Sequence, residues 1–277
     1  MELWHRLGLD PAVHRLVTLV GGGGKTTLLY ALARQAVDAG CTAAVTTTTH
    51  IRPHPGLPRS ERPTRALLEA RRAVTVGTVG EKGKLTGPDD PAALLALAGV
   101  VLVEGDGANR LPLKAPEAWE PVIPPESRAV LAVAGLDAVG RPIGETCHRP
   151  DRAAVLVDKP LDALVTAADA ALLLTHPLGG RKGVPAGAAF RCVLNKADTP
   201  ARRAAGEACA AQIRAMGFRA VLTAFRVMGN AGFDQRGRGS GHRHRGAAAP
   251  GGVPGGDDRR RPAHGGAADG GLLPVHV

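Results

Sequence analysis

Aromatic side chains are scarce in this chain: four Phe, two Trp and one Tyr, 3% of 277 residues. The core must therefore be filled by Ala, Val and Leu, and rings for stacking a run of exposed nucleic-acid bases are lacking. Cysteine is scarce too. Cys41, Cys147, Cys192 and Cys209 lie far apart with no C-x-x-C pair, which argues against a disulfide framework or a structural zinc site and points to a reducing cytoplasm. Long apolar runs are also missing. The longest, PAALLALAGVVLV at 91–103, falls short of the roughly 20 residues that a bilayer-spanning helix needs. The opening MELWHRLGLDPAVHRL has no charged-then-apolar leader pattern. No membrane partner is expected.

Positive charge is plentiful, with a formal net charge of +10. Seven arginines and four aspartates beyond Gly232 account for only three of those charges, so the body of the chain is basic in its own right. Phosphate ligands suit such an excess. Nucleic acid is not expected as a partner, because neither a binding motif nor a stacking platform accompanies the charge.

Short Val- and Leu-rich runs alternate with helical stretches. Strands are expected at 16–20, 42–46, 73–77, 100–104, 129–134, 191–195 and 219–225, and helices at 26–39, 64–71, 90–98, 151–157, 160–174 and 200–216. This alternation predicts an α/β fold, a mostly parallel sheet with helices on both faces spanning 1–227, and the glycine run at 21–24 makes it P-loop NTPase-like. From 228 to 277 the sequence is dense in Gly, Arg, Ala, Pro and His with little apolar periodicity. Such a segment cannot bury enough surface to offset its ordering entropy, so a disordered tail is expected. It reads as a solvated or out-of-frame extension, or as an arginine-glycine arm.

VTLVGGGGKTTLLYALARQ at 17–35 lacks the first glycine of G-x-x-x-x-G-K-[ST]; Leu19 stands in its place. The context is nonetheless strand, glycines, Lys-Thr-Thr, helix. Gly21, Gly22, Gly23 and Gly24 would let backbone N–H groups converge on phosphate, with Lys25 on the β/γ-phosphates, Thr26 on Mg²⁺ and Thr27 at the α-phosphate. The frame Gly21–Thr27, G-x-x-G-K-T-T, is also that of the compact loop of Mur ligases. A second metal ligand is expected from VVLVEGDGANR, where Glu104 and Asp106 follow a buried strand: one carboxylate for the metal, the other to orient a nucleophile. The run TTTTH at 46–50 offers hydroxyls, Thr48 among them, to a metal or phosphate; strand propensity alone explains it as well. His50 and His54 stand four apart, but Pro53 and Pro55 prevent a helix that would put them on one face. In VLNKADTP, Asn195, Lys196 and Asp198 have the form of a guanine-reading motif. Asp198 would accept from guanine N1–H and N2, Asn195 would contact the base edge, and the Lys196 stem would lie along the ring. The alternative is a polar loop in which Asp198 or Thr199 caps the helix from Pro200.

Taken in order, GGGGKTT, TTTTHI, VLVEGDGANRLPLKAPEAWEPVIP, CHRPD, THPLGGRKGVP and VLNKAD resemble the YqeC-like family, from about residue 8 to about 225. The E-x-D-G-x-x-x-L-P-x-K-A-P block is the most specific part. The resemblance implies a P-loop nucleotide-binding protein, with GTP or ATP and Mg²⁺ bound, that acts in selenium cofactor biosynthesis or in maturation of selenium-dependent molybdenum hydroxylases. A molybdenum hydroxylase or its cofactor-assembly proteins would be the partners. It also draws attention to Lys114, His148, Arg149, Arg181 and Lys182. Lys114 and the Arg181–Lys182 pair read as anion clamps, and His148 as an acid/base group whose ordinary pKa lies near neutrality. Two functions follow: an NTP hydrolase preferring GTP, or a Mur-ligase-like ATP-dependent ligase or kinase acting on a small acidic substrate, with Lys114 and His148 near the second substrate.

Overall fold

The computed structural model describes residues 1–80 and 83–225. The chain runs α1 (Glu2–Leu7), β1 (Leu16–Gly21), α2 (Lys25–Asp38), β2 (Ala43–Thr47), β3 (Arg59–Ser60), α3 (Arg65–Arg71), β4 (Ala73–Val76), β5 (Thr78–Val79) and β6 (Leu85–Thr86). It continues through β7 (Val100–Glu104), β8 (Leu113–Lys114), β9 (Ala129–Gly135), α4 (Ile143–Thr146), β10 (Cys147–His148) and α5 (Pro150–Val157). It closes with α6 (Ala167–Thr175), β11 (Ala189–Asn195), α7 (Pro200–Ala215) and β12 (Arg219–Leu222). Among the described residues an eight-stranded sheet has the order β12-β11-β9-β1-β7-β2-β4-β3, and every pair in it is parallel. The α/β architecture expected from the alternating runs is the one observed. The segment 228–277, and with it the expected tail, lies outside the described residues.

Burial on both faces explains the apolar runs, since successive strand residues point to opposite sides. Val17 and Leu19 of β1, Leu102 of β7 and Leu131 of β9 pack with Leu28, Leu29 and Leu32 of α2 and with Trp4 of α1. Trp4 is fully buried and its indole N–H donates to the Leu32 carbonyl at 3.1 Å, which satisfies the polar end of the ring. On the other face, Val20 joins Val130, Ala132 and Ala134 of β9 beneath α6 and α7, while Val101 and Val103 meet Leu68 of α3. Truncating a fully buried leucine such as Leu32 or Leu102 to alanine costs about 2–5 kcal/mol in cores of this kind.

Two expected helices are corrected. The stretch 160–174 is helical only over α6. Pro160 starts a turn, Leu161 and Leu164 stay exposed, and a capping box of Thr166 and Asp169 opens the helix. The stretch 90–98 is a 3₁₀ helix, Pro91–Ala96, with the Asp90 carboxylate accepting from the Ala92 and Ala93 N–H groups. The last strand stops at Leu222, short of the expected 225. α1, α4 and the short strands β3, β5, β6, β8 and β10 have no counterpart among the expected elements.

β1 is central, flanked by β7 and β9. The chain leaves β1 for β2 on one side and later crosses to β9 on the other, so the carboxyl end of β1 is a topological switch point where crevices form in open α/β sheets. The glycine loop stands there.

Candidate functional site

Gly21 to Gly24 connect β1 to α2, with Gly21, Gly23 and Gly24 at φ of 95°, 70° and 111°. Only glycine adopts this succession without strain. A side chain on Gly23 would also strike the Gly135 backbone, and one on Gly24 would strike the Asn195 amide. The first three loop N–H groups are engaged internally: Gly21 to both Asp106 carboxylate oxygens at 3.1 Å, Gly22 to the Val133 carbonyl at 2.9 Å and Gly23 to the Leu111 carbonyl at 3.1 Å. The groups that open α2, at Lys25, Thr26 and Thr27, belong to a helix N-terminus, whose first donors have no intrahelical partner and whose dipole favours anions.

Beneath the loop lies a buried ionic cluster. Lys25 donates to the Gly21 carbonyl and stands 3.2 Å from Asp106 Oδ1 and 3.9 Å from Glu104 Oε1. Asp106 Oδ2 lies 3.1 Å from Lys114 Nζ, which reaches Glu120 Oε1 at 2.9 Å and the Gly107 carbonyl at 2.5 Å. The side chains of Lys25, Asp106 and Lys114 are 4%, 2% and 0% exposed, so every donor and acceptor has to be matched inside the protein. The Thr26 hydroxyl donates to Glu104 Oε2 at 2.8 Å. Burial pushes the Glu104 carboxyl above its ordinary 4.5; Lys25 and Thr26 pull it back only in part, and Asp106 adds to the rise. Burial acts the same way on Glu120, but there the hydrogen bonds from Lys114 and the Glu117 N–H, with the charges of Lys114 and Arg149, together outweigh it and the carboxyl is held low.

One continuous segment carries most of these contacts. From Glu104 to Pro116 the chain provides the partner of Thr26, the partner of Gly21 and Lys25, the Leu111 carbonyl for Gly23 and the Pro112 carbonyl for Gly135 N–H at 2.8 Å. It ends with Lys114 and with the Pro116 carbonyl, which accepts from Arg152 at 2.8 Å. Asn109 and Arg110, at φ 47° and 64°, make the turn that brings Leu111 against the loop. The specific E-x-D-G-x-x-x-L-P-x-K-A-P pattern is thus the brace of the glycine loop.

Gly21–Thr27, Glu104, Asp106 and Lys114 come together at one edge, and Thr48 is tied to it through its backbone N–H, which donates to the Glu104 carbonyl at 3.1 Å. The Thr48 hydroxyl donates to the Val122 carbonyl at 2.8 Å and the Thr47 hydroxyl to the Glu104 carbonyl at 2.8 Å, so these threonines fix the strand end. Asp106, expected as a metal or nucleophile-orienting carboxylate, has both oxygens bound to Gly21 N–H and ion-paired with two lysines, which makes it an organiser of the loop. Thr26 and Glu104 remain as adjacent hard oxygen donors of the kind Mg²⁺ takes. No cluster of three or more His, Cys, Asp or Glu side chains suited to a metal occurs among the described residues.

At the end of β11, the Asn195 amide N–H donates to the Gly23 carbonyl at 2.8 Å and its oxygen accepts from Thr223 at 3.0 Å. Asn195 therefore ties the glycine loop to the neighbouring strand end. Lys196, at φ 65°, pairs with Asp137 at 2.6 Å. Asp198 is exposed and pairs with Arg202 at 2.8 Å, while the Thr199 hydroxyl caps α7 by accepting from Arg202 N–H. Helix capping thus falls to Thr199 and leaves Asp198 on the rim.

The remaining expected residues divide. His148 faces Lys114 across the β8–β10 ladder. Arg181 lies over the Phe218 ring at 5.1 Å and Lys182 donates to the carbonyls of Glu117, Ala118 and Glu120, so this pair holds loops in place where anion clamps were expected. His54 packs its ring against Tyr30, centroids 4.9 Å apart, and His50 is exposed. Glu120, Glu117, Arg152 and Asp137 escaped the sequence reading. Glu120 and Glu117 lie in irregular chain with no periodic signal, although the resembling block contains both.

These features define an α/β protein whose glycine loop, at the switch point of a parallel sheet, is braced by a buried Lys–Asp–Lys–Glu chain. The model of the family described as YqeC protein matches residues 17–151, the stretch holding loop and brace. The chain is also 34% identical over 189 residues to the Uncharacterized protein YqeC of Escherichia coli (strain K12), an alignment that takes in 62% of this chain and 72% of that one. This protein belongs to the YqeC family. No helix among the described residues is long and apolar enough to cross a membrane.

Proposed function

We propose that this chain is a Mg²⁺-dependent P-loop nucleotide-binding protein that hydrolyses NTP, with GTP preferred over ATP. The observation that carries the reading is Lys25, held between the Gly21 carbonyl and Asp106 over a helix N-terminus, with the Thr26 hydroxyl on Glu104 directly beside it. A bound triphosphate would take Lys25 from the Gly21 carbonyl and meet the N–H groups that open α2. Thr26 and Glu104 would hold Mg²⁺, which when bound neutralises charge on the β- and γ-phosphates. Asp106 keeps Lys25 aimed across the loop and holds the Gly21 peptide in register. Catalysis of this kind works by positioning and charge neutralisation.

Preference for guanine rests on Asp198. Its partner Arg202 is a half-exposed i,i+4 pair of small worth, so the carboxylate exchanges readily for a base edge. The pathway comes from the likeness of the sequence blocks: an accessory factor in selenium cofactor biosynthesis or in maturation of selenium-dependent molybdenum hydroxylases, with such a hydroxylase or its assembly proteins as partner. A cytoplasmic setting suits four cysteines that are all free thiols, of which Cys192 and Cys209 are pushed up to about 12 by burial. A second reading, a Mur-ligase-like ATP-dependent ligase or kinase acting on a small acid, is favoured by the compact loop and by the cations around Lys114.

The test is a panel of GTP and ATP with Mg²⁺, read for affinity and turnover on the wild type and on Lys25→Ala. The variant should bind neither nucleotide measurably. Unchanged affinity for both would overturn the proposal.

A further inference from the structure

β8 and β10 form a small parallel ladder in which Cys147 lies opposite Leu113 and His148 opposite Lys114. Leu113 and Cys147 point into the core, so Lys114 and His148 share the other face of the ladder. Four cations gather around that face: Lys114, Arg149, Arg152 and Lys182. Two carboxylates answer them, since Glu117 lies 3.4 Å from Arg152 and Glu120 lies 2.9 Å from Lys114. The third nearby carboxylate, Asp106, is shared with Lys25.

Two features of Arg149 show that this surplus is directed. Its Nε is shielded from solvent and has no hydrogen-bond partner; Glu117 and Glu120 are both 4.0 Å away, beyond hydrogen-bond reach. Its backbone is left-handed, at φ 64°, a conformation costing an ordinary residue about 1–2 kcal/mol. Such strain gathers where a side chain must be aimed. The His148 ring, half-buried beside it, has no hydrogen-bond partner among the described residues. Burial pushes the ring pKa below 6.5, with Lys114 and Arg149 adding to the effect against Glu120 and Asp106, so at neutral pH it presents a neutral imidazole.

We infer that His148 and Arg149 form a subsite for a small oxyanion, a carboxylate or a phosphate, distinct from the glycine loop and joined to it through the buried Lys114–Asp106 pair, whose lysine lends charge while its donors stay with Asp106, Glu120 and Gly107. Asp106 binds Lys25 with one oxygen and Lys114 with the other, so this pair bridges the two anion sites. The part of the Arg149 guanidinium that reaches solvent meets the bound oxyanion, the side chain being 38% exposed, and the imidazole N–H is a second donor. This inference rests on the second reading, a ligase or kinase acting on a small acid, and narrows that substrate to an oxyanion held at Arg149.

The experiment follows the His148 ring resonances of the full chain by NMR during titration with acetate and, separately, inorganic phosphate. Lys25→Ala serves to silence the glycine loop. Saturable movement of the His148 signals should persist in Lys25→Ala and be lost in Arg149→Gln. The anion that responds identifies the ligand as carboxylate or phosphate. Arg149→Lys keeps the charge without the guanidinium fork and should weaken binding about tenfold, which retains the test if the Gln variant fails to fold. Movement retained in Arg149→Gln, or absent for both anions in the wild type, overturns the subsite. Nucleotide affinity, measured on the same samples, reports on the glycine loop independently.

Discussion

The carboxyl edge of the sheet has two halves built on opposite principles. Around β1 and β7, Lys25, Asp106 and Lys114 are almost wholly buried, and each charged end meets several partners. At the end of β11, Lys196 and Asp198 make single ion pairs, with side chains 34% and 52% exposed. A buried charge deprived of its partner is strongly destabilising, whereas an exposed pair contributes little. The inner half is therefore over-determined and keeps a loop in one shape. The outer half can trade its contacts for a ligand at small cost.

The sharpest break of this contrast is Lys114→Ala. It leaves Asp106 with Lys25 and the Gly21 N–H alone and takes the nearest cation from Glu120, and should lower stability by about 3–5 kcal/mol in urea unfolding. A loss below about 1 kcal/mol would make the inner cluster equivalent to a surface pair. On the outer half, Asp198→Asn should leave the unfolding midpoint nearly unmoved. It should weaken GTP roughly tenfold to a hundredfold, the worth of a hydrogen bond to a charged group, and improve xanthosine triphosphate. Tighter binding of ATP than GTP by the wild type would return this rim to a structural role beside the Thr199 cap.

The same division governs how much the sequence reveals. β1, β7 and β9 are legible because strands buried on both faces appear as unbroken apolar runs, and α2 because a glycine loop ends directly in a helix-forming stretch. Glu104 and Asp106 are legible by their place at a strand end. The roles are harder to read. Asp106 looks like a metal ligand in sequence and is an organiser in space, because its partners Lys25 and Lys114 come from chain elements far from each other. Asn195 reads as a base contact and ties the loop, through a carbonyl 172 residues earlier. The ladder of β8 and β10 is two residues long on each side, too short for any period to register, so the facing of Lys114 and His148 emerges only from the fold. At 160–166 the apolar pattern imitates a helix, but Pro160 and the Thr166 cap restart the chain.

The smallest expected effect bears on what the inner cluster is for. The Glu104 carboxyl lies above its ordinary 4.5 because burial outweighs Lys25 and Thr26. A carboxyl whose folded pKa is raised gives stability that is fully present below 4.5 and is lost as pH rises through the folded pKa. Glutamine has no proton to lose, so the nucleotide-free wild type and Glu104→Gln should melt alike at acid pH. The variant should then gain on the wild type as pH rises toward neutrality. With Mg²⁺ and nucleotide the order should reverse, because only the ionised carboxylate serves the cation. A Gln variant less stable than the wild type at neutral pH, without nucleotide, would mean that the bonds from Thr26 and Lys25 outweigh burial, and that Glu104 belongs to the brace alone. The expected crossing, by contrast, marks a charge kept in the interior at a cost to the empty fold, which is the signature of a side chain held ready for a ligand.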